Sequence, residues 1–172
     1  MNLANKLTLT RIILVPVFLF FVAVKVKYGT YIATGIFIIA ALTDTLDGYI
    51  ARSRNQITKF GKFMDPLADK LIVTSALISL VEKGVLSTWV VMIIIAREFA
   101  ITGLRSLAAS EGIVIAASNW GKAKTVTQII AIVAALIGMP YSEFLIGAAV
   151  IITLISGLDY LIKNKNAINP QD

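Results

Sequence analysis

The chain has 172 residues, 58% of them hydrophobic and 15% charged, with a mean hydropathy of +0.84; soluble domains carry about 45–50% apolar and about 25% charged residues, so this composition belongs in lipid. Cysteine and histidine are both absent, which excludes disulfides, thiolate nucleophiles, zinc clusters and imidazole acid–base chemistry and leaves oxygen donors, suited to a hard cation such as Mg²⁺ or Mn²⁺. The net charge of +6 in such a chain points to cytoplasmic-loop bias and anionic partners, not to nucleic acid.

A membrane span needs about 20 mostly apolar residues. In chain order, the segments that meet or approach this are Leu7–Val26, Tyr31–Ala51, Phe60–Val81, Leu86–Ala108, Trp120–Met139 and Ser142–Ile162. No small-residue cleavage pattern follows the first, which reads as a retained span and not a signal peptide. Short connections such as Lys27–Thr30 and Glu82–Val85 predict antiparallel neighbours. No linker, low-complexity tract or internal repeat interrupts the pattern, so residues 1–172 read as one domain. With the N-terminus inside, 12 Lys and Arg fall on the cytoplasmic side and only Lys25, Lys27 and Lys83 outside. The expected fold is an all-α integral membrane protein with six transmembrane helices and both termini cytoplasmic. Trp89, Trp120 and Tyr141 suit interface anchors.

The second and third segments contain groups that a passive scaffold does not need. Asp44 and Asp47 close the second in ALTDTLDGYIAR, and Asp65 and Asp69 open the third in GKFMDPLADK. An ionised Asp costs about 2.5–3.5 kcal/mol at a helix centre, less toward the ends. Residues three and four apart share a helix face. Asp44, Asp47, Gly48 and Ala51 therefore form one stripe, and Gly61, Asp65 and Asp69 another. On consecutive antiparallel helices the two stripes can converge near the cytoplasmic interface, where crowded carboxylates repel unless cations neutralise them. That predicts a site for one or two metal ions. Helix capping is the plainer alternative, because Asp65-Pro66 spells an N-cap followed by Pro at the first helical position. A start there leaves only Pro66–Val81 for the span, so a helix that begins earlier and bends at Pro66 is expected instead. Gly48, Ala51 and Gly61 allow close approach of a ligand or helix. Arg52 suits an anionic phosphate, whereas Arg54 reads as a topology charge.

The string Asp44-x-x-Asp47-Gly48-x-x-Ala51-Arg52, eight residues, Gly61-x-x-x-Asp65-x-x-x-Asp69 resembles the signature of the CDP-alcohol phosphotransferases, with no departure at its fixed positions. NKLTLTR near the N-terminus, REFAITGLR in the fourth segment and NWGKAKT opening the fifth are similar to the bacterial members that make phosphatidylglycerophosphate. The resemblance implies a six-helix homodimer in the bacterial cytoplasmic membrane, its active site toward the cytoplasm. It would transfer phosphatidyl from CDP-diacylglycerol to sn-glycerol 3-phosphate and release CMP. It also implies a pair of Mg²⁺ or Mn²⁺ ions on Asp44, Asp47 and Asp65, with Asp69 as general base and a further contact to the second ion. Gly48, Arg52, Thr58 and, from the N-terminal string, Thr8 are the implied CDP-site residues.

Elementary chemistry agrees. A metal pair on the diphosphate would neutralise its charge and stabilise the leaving CMP, and without histidine a carboxylate is the natural base for the acceptor hydroxyl. Glycerol phosphate needs a basic pocket. Glu98, Thr102 and Arg105 form one polar stripe on the fourth helix, and Lys122 and Lys124 open the fifth. Arg105, Lys122 and Lys124 are read as a phosphate clamp, with topology charge the alternative for the two lysines. Arg97 beside Glu98 at mid-span depth either pairs with it or joins the acceptor site. Two other readings stay open: the same chemistry with inositol phosphate, serine or phosphatidylglycerol as acceptor, and a divalent-cation carrier. The cytoplasmic clustering of the aspartates and the lack of an inverted repeat speak against the carrier.

Overall fold

The computed structural model describes residues 3–24, 26–53, 59–110 and 118–164; within these, the side chains of 3–4, 44–53, 59–60 and 62–63 fall outside the description. The elements are α1 (Leu3–Ala23), α2 (Gly29–Ser53), α3 (Lys59–Glu82), α4 (Thr88–Ser110), α5 (Asn119–Leu136) and α6 (Ser142–Lys163), and no strand occurs among the described residues. Each apolar segment of the sequence corresponds to one helix. By length and composition, α1 from Asn5 onward and α6 can cross a membrane, and α2 holds a shorter apolar stretch over Gly29–Thr43. The remaining helices carry more of the charged side chains.

Helix ends differ from the hydropathy limits for local reasons. Helix α3 starts at Lys59 and carries Pro66 within it, so Asp65 lies a turn and a half inside the helix and does not cap it. Its 24 residues extend about 36 Å at 1.5 Å per residue, which a start at Pro66 could not supply. The far end closes on Gly84 at φ 71°. The Gly84 amide donates to the Val81 carbonyl, and the Val85 amide to that of Leu80, both at 2.9 Å. This is the Schellman pattern, in which a left-handed residue after the helix satisfies carbonyls that the helix leaves open. Helix α5 stops at Leu136, short of Met139, because Gly138 turns left-handed and Pro140 follows.

The chain divides into two compact units, Met1–Leu86 with Ala135–Met139 and Ser87–Ala134 with Pro140–Asp172. In the first unit α1 packs against both α2 and α3, and these two also touch. The packed face of α1 runs Asn5, Thr8, Arg11, Val15, Phe18, all buried and three or four residues apart. Its first half is polar and its second half apolar. The apolar half meets Ala33, Phe37 and Ala40 of α2, each fully buried; the Phe18 and Phe37 rings lie 6.3 Å apart at 49°, a tilted pairing favoured by the ring quadrupoles. In the second unit α4 packs on α6, whose buried face is Ile146, Ala149, Thr153, Ser156, Gly157 and Tyr160. Small residues dominate that face, as expected where helices associate through close packing and not through a hydrophobic driving force.

This packing predicts that Phe37→Ala lowers stability by about 3 kcal/mol or more through the cavity it leaves. Ile39→Ala, on the exposed side of the same helix, should change it by no more than about 0.5 kcal/mol. Thermal unfolding of the detergent-solubilised protein measures both.

Candidate functional site

Two polar clusters stand out, one in each unit. The first lies where the polar half of the α1 face meets the early turns of α3. Thr8 is 0% exposed, and its hydroxyl donates to Oδ1 of Asp65 at 2.6 Å, joining positions 57 residues apart. Asp69 follows one turn later, and Asp65 and Asp69 are both half-buried. Gly61, one turn before Asp65, is buried, so the stripe read from the sequence lies on one side of a continuous helix. Ala68 and Ile72 pack beside it in the core. Arg11, one of the 12 Lys and Arg that the charge distribution assigns to the cytoplasmic side, is 0% exposed on the same α1 face as Thr8. Its spacing of three from Thr8 was the available signal for a packed role.

The other half of the signature lies on α2, whose helical backbone continues through Asp44, Asp47, Gly48 and Arg52 to Ser53. That backbone keeps Asp44, Asp47 and Gly48 on one face. The side chains of these four residues fall outside the description, and Thr58 lies outside the described residues altogether. What the structure adds is that α2 and α3, the two carriers of the signature, touch each other within one unit and share α1 as a partner.

The second cluster ties α4 to both of its neighbours in the other unit. Lys124 of α5 is 5% exposed and its ammonium donates to Oε2 of Glu98 on α4. Arg97 donates from Nη2 to Oγ of Ser156 on α6 at 2.6 Å, and its Nη1 lies 3.9 Å from Glu98. Gly157 makes room for it, since a Cβ there would sit 3.3 Å from Arg97 Cγ. Buried Tyr160, one turn further along α6, lies within electrostatic range of both Arg97 and Arg105. Arg105 and Lys122 are exposed. Lys122 and Lys124 thus fall on different sides of α5, as residues two apart on a helix must. The sequence drew them together as one clamp; the structure gives Lys124 a carboxylate partner and leaves Lys122 outward. Ser156 and Tyr160 were missed in the sequence reading. Their mark there is that Thr153, Ser156 and Tyr160 stand three and four apart on one face of a largely apolar helix.

Comparison with known proteins decides the lineage. The family model described as CDP-alcohol phosphatidyltransferase matches residues 1–155. The chain belongs to the CDP-alcohol phosphatidyltransferase family. Its relatives include proteins named CDP-diacylglycerol--glycerol-3-phosphate 3-phosphatidyltransferase, three of which illustrate the likeness. That of Bacillus subtilis is 43% identical, covering 97% of this chain and 97% of its own. That of Haemophilus influenzae is 39% identical over 91% of this chain and 86% of its own, and that of Rickettsia bellii 34% over 92% and 93%. The matched residues cover the first cluster and, of the second, Arg97, Glu98, Arg105, Lys122 and Lys124; Ser156, Gly157 and Tyr160 lie just beyond them at the end of α6.

The Glu98–Lys124 pair, buried at Lys124 and half-buried at Glu98, makes a testable claim on stability. Removing one member of such a pair strands the other charge and typically costs about 3–5 kcal/mol. Glu98→Leu alone should therefore destabilise the solubilised protein strongly. Adding Lys124→Met to it should recover most of the loss, and a double-mutant cycle on unfolding measures the coupling.

Proposed function

We propose that this family member transfers the phosphatidyl group of CDP-diacylglycerol to sn-glycerol 3-phosphate, giving phosphatidylglycerophosphate and CMP. The observation that carries the reading is the 43% identity, over 97% of both chains, to the Bacillus subtilis protein named for that reaction. The proposal includes a homodimer spanning a bacterial cytoplasmic membrane six times, with both termini and the aspartates on the cytoplasmic side. The one-sided distribution of Lys and Arg supports that orientation.

The donor set fits a hard divalent cation. The signature offers four carboxylates and the chain has no histidine or cysteine to compete; Asp65 and Asp69 lie one turn apart at half-buried positions. Asp44, Asp47 and Asp65, with a contribution from Asp69, would hold Mg²⁺ or Mn²⁺ as an ion pair. Bound there, the metal supplies charge neutralisation for the diphosphate and polarisation of the phosphorus under attack. The protein residues do the rest. Gly48, Arg52 and Thr58 line the cytidine diphosphate group. Asp69 takes the proton from the acceptor hydroxyl. The acceptor oxygen then bonds to the phosphorus that carries diacylglycerol, and the bond from that phosphorus to the CMP oxygen breaks. The displacement is direct and needs no covalent enzyme intermediate. Arg105, with Lys122, Lys124 and Arg97, supplies positive charge for the acceptor phosphate, and the Glu98 and Ser156 contacts hold Lys124 and Arg97 in place.

The test is CMP release from CDP-diacylglycerol with each acceptor in turn. Glycerol 3-phosphate should be used well, and inositol phosphate, serine, phosphatidylglycerol and plain glycerol poorly. Chelation should abolish the activity, and equal rates with and without chelator would rule out the carboxylate metal site. Asp69→Asn should lower the rate by about 10²-fold or more, the range for loss of a general base, while CDP-diacylglycerol still binds. A variant that keeps more than about a tenth of the wild-type rate would exclude Asp69 as the base.

The acceptor site has its own readout. Arg105→Ala should raise the KM for glycerol 3-phosphate about 10- to 150-fold, the equivalent of one lost charge-assisted hydrogen bond. If the contact is equal in ground and transition states, the loss should appear in that KM and not in kcat, and the KM for CDP-diacylglycerol should barely move. Unchanged acceptor KM and kcat would remove Arg105 from the site.

A further inference from the structure

The sequence offers Thr8 as a nucleotide contact; its surroundings suit a different task. Thr8 has no exposed surface, so it can act on a substrate only through the groups it touches. Its hydroxyl donates to Asp65 Oδ1 at 2.6 Å, within the range of about 2.5–2.7 Å typical when the acceptor is an ionised carboxylate. Other helical threonines here behave generically: Thr10, Thr34, Thr43, Thr125 and Thr153 each donate to the carbonyl four residues back in their own helix. Thr8 reaches across to another helix. Its β-branch restricts χ1, so the direction of its hydroxyl is set once α1 is packed. Asp65 precedes Pro66, which has no N–H and so leaves α3 without the hydrogen bond that position would donate to the preceding turn.

We propose that Thr8 is a positioning residue for Asp65, holding the carboxylate in the orientation in which it ligates the divalent cation; this rests on the reading of Asp65 as a metal ligand given above. A carboxylate has lone pairs to spare after accepting one hydrogen bond. The Thr8 bond therefore fixes the plane of the carboxylate without using up its capacity for metal. Hydrogen-bonded partners of metal-ligating carboxylates orient the ligand, and their loss typically costs about 10–100-fold in metal affinity. Thr8 delivers this from α1, so the packing of α1 on α3 is converted directly into the geometry of the site.

The experiment titrates Mn²⁺ alone onto the solubilised full-length protein, with free Mn²⁺ read by electron paramagnetic resonance. Thr8→Val keeps the shape and deletes the hydroxyl; it should weaken Mn²⁺ binding about 10-fold or more. Thr8→Ser, which restores the donor, should bind as the wild type does. In turnover the Mn²⁺ concentration for half-maximal CMP release should rise in Thr8→Val, with kcat recovering at saturating Mn²⁺. A merely structural role predicts equal damage from Val and Ser, or a loss that Mn²⁺ does not rescue, and either result overturns the proposal. So does wild-type Mn²⁺ affinity in Thr8→Val while Asp65→Ala is impaired, an outcome that leaves the metal reading intact. If Asp65→Ala binds Mn²⁺ as tightly as the wild type, the metal reading falls and the positioning role with it. Should Thr8→Val not fold, Thr8→Cys retains the volume with a weaker donor and should bind Mn²⁺ less tightly than Thr8→Ser; equal binding overturns the proposal.

Discussion

A polar group on a helix in apolar surroundings must find its partner inside the protein, because lipid offers none. The described polar contacts between helices follow this constraint. Asp65 on α3 receives the Thr8 hydroxyl from α1, Glu98 on α4 receives the Lys124 ammonium from α5, and Arg97 on α4 reaches Ser156 on α6. Each link joins two different helices within one unit. Satisfying these polar groups therefore specifies which helix packs on which.

The α1 face shows how the constraint divides labour along one element. Its deeper half, Val15 and Phe18, is apolar and packs on small residues and Phe37 of α2. Its first half, Asn5, Thr8 and Arg11, is polar and equally buried. Dispersion contacts hold the deep half, and directed hydrogen bonding begins where α3 presents Asp65. A soluble protein would place such polar residues at the surface; here they are inside, where Thr8 meets Asp65 of α3.

In the second unit, adjacent residues of α4 point to different neighbours, Arg97 toward α6 and Glu98 toward α5. Successive side chains on a helix are about 100° apart, so a charged pair in sequence can clamp a helix from two sides. Replacing a buried ion pair by apolar residues is often neutral or stabilising, so stability alone does not account for keeping these charges.

The aspartate stripes were legible in the sequence because helical periodicity alone places residues three and four apart on one face, and because α3 had to start before Pro66 to reach spanning length. The family was legible for a related reason: a fixed order of Asp, Gly and Arg at set spacings survives in one dimension. Number and order of helices followed from hydropathy. What one dimension does not carry is which residues of different helices meet. That Thr8 serves Asp65, that Arg11 is buried on the packed face, and that Lys124 is tied to Glu98 while Lys122 faces outward depend on the rotation of each helix about its axis. Packing of side chains fixes that rotation, and it brings together positions 26 to 59 residues apart in the three links between helices. The sequence by itself determined the elements and the family; only the tertiary structure decided which polar group holds which, because a hydrogen bond is a property of two surfaces and a sequence describes one at a time.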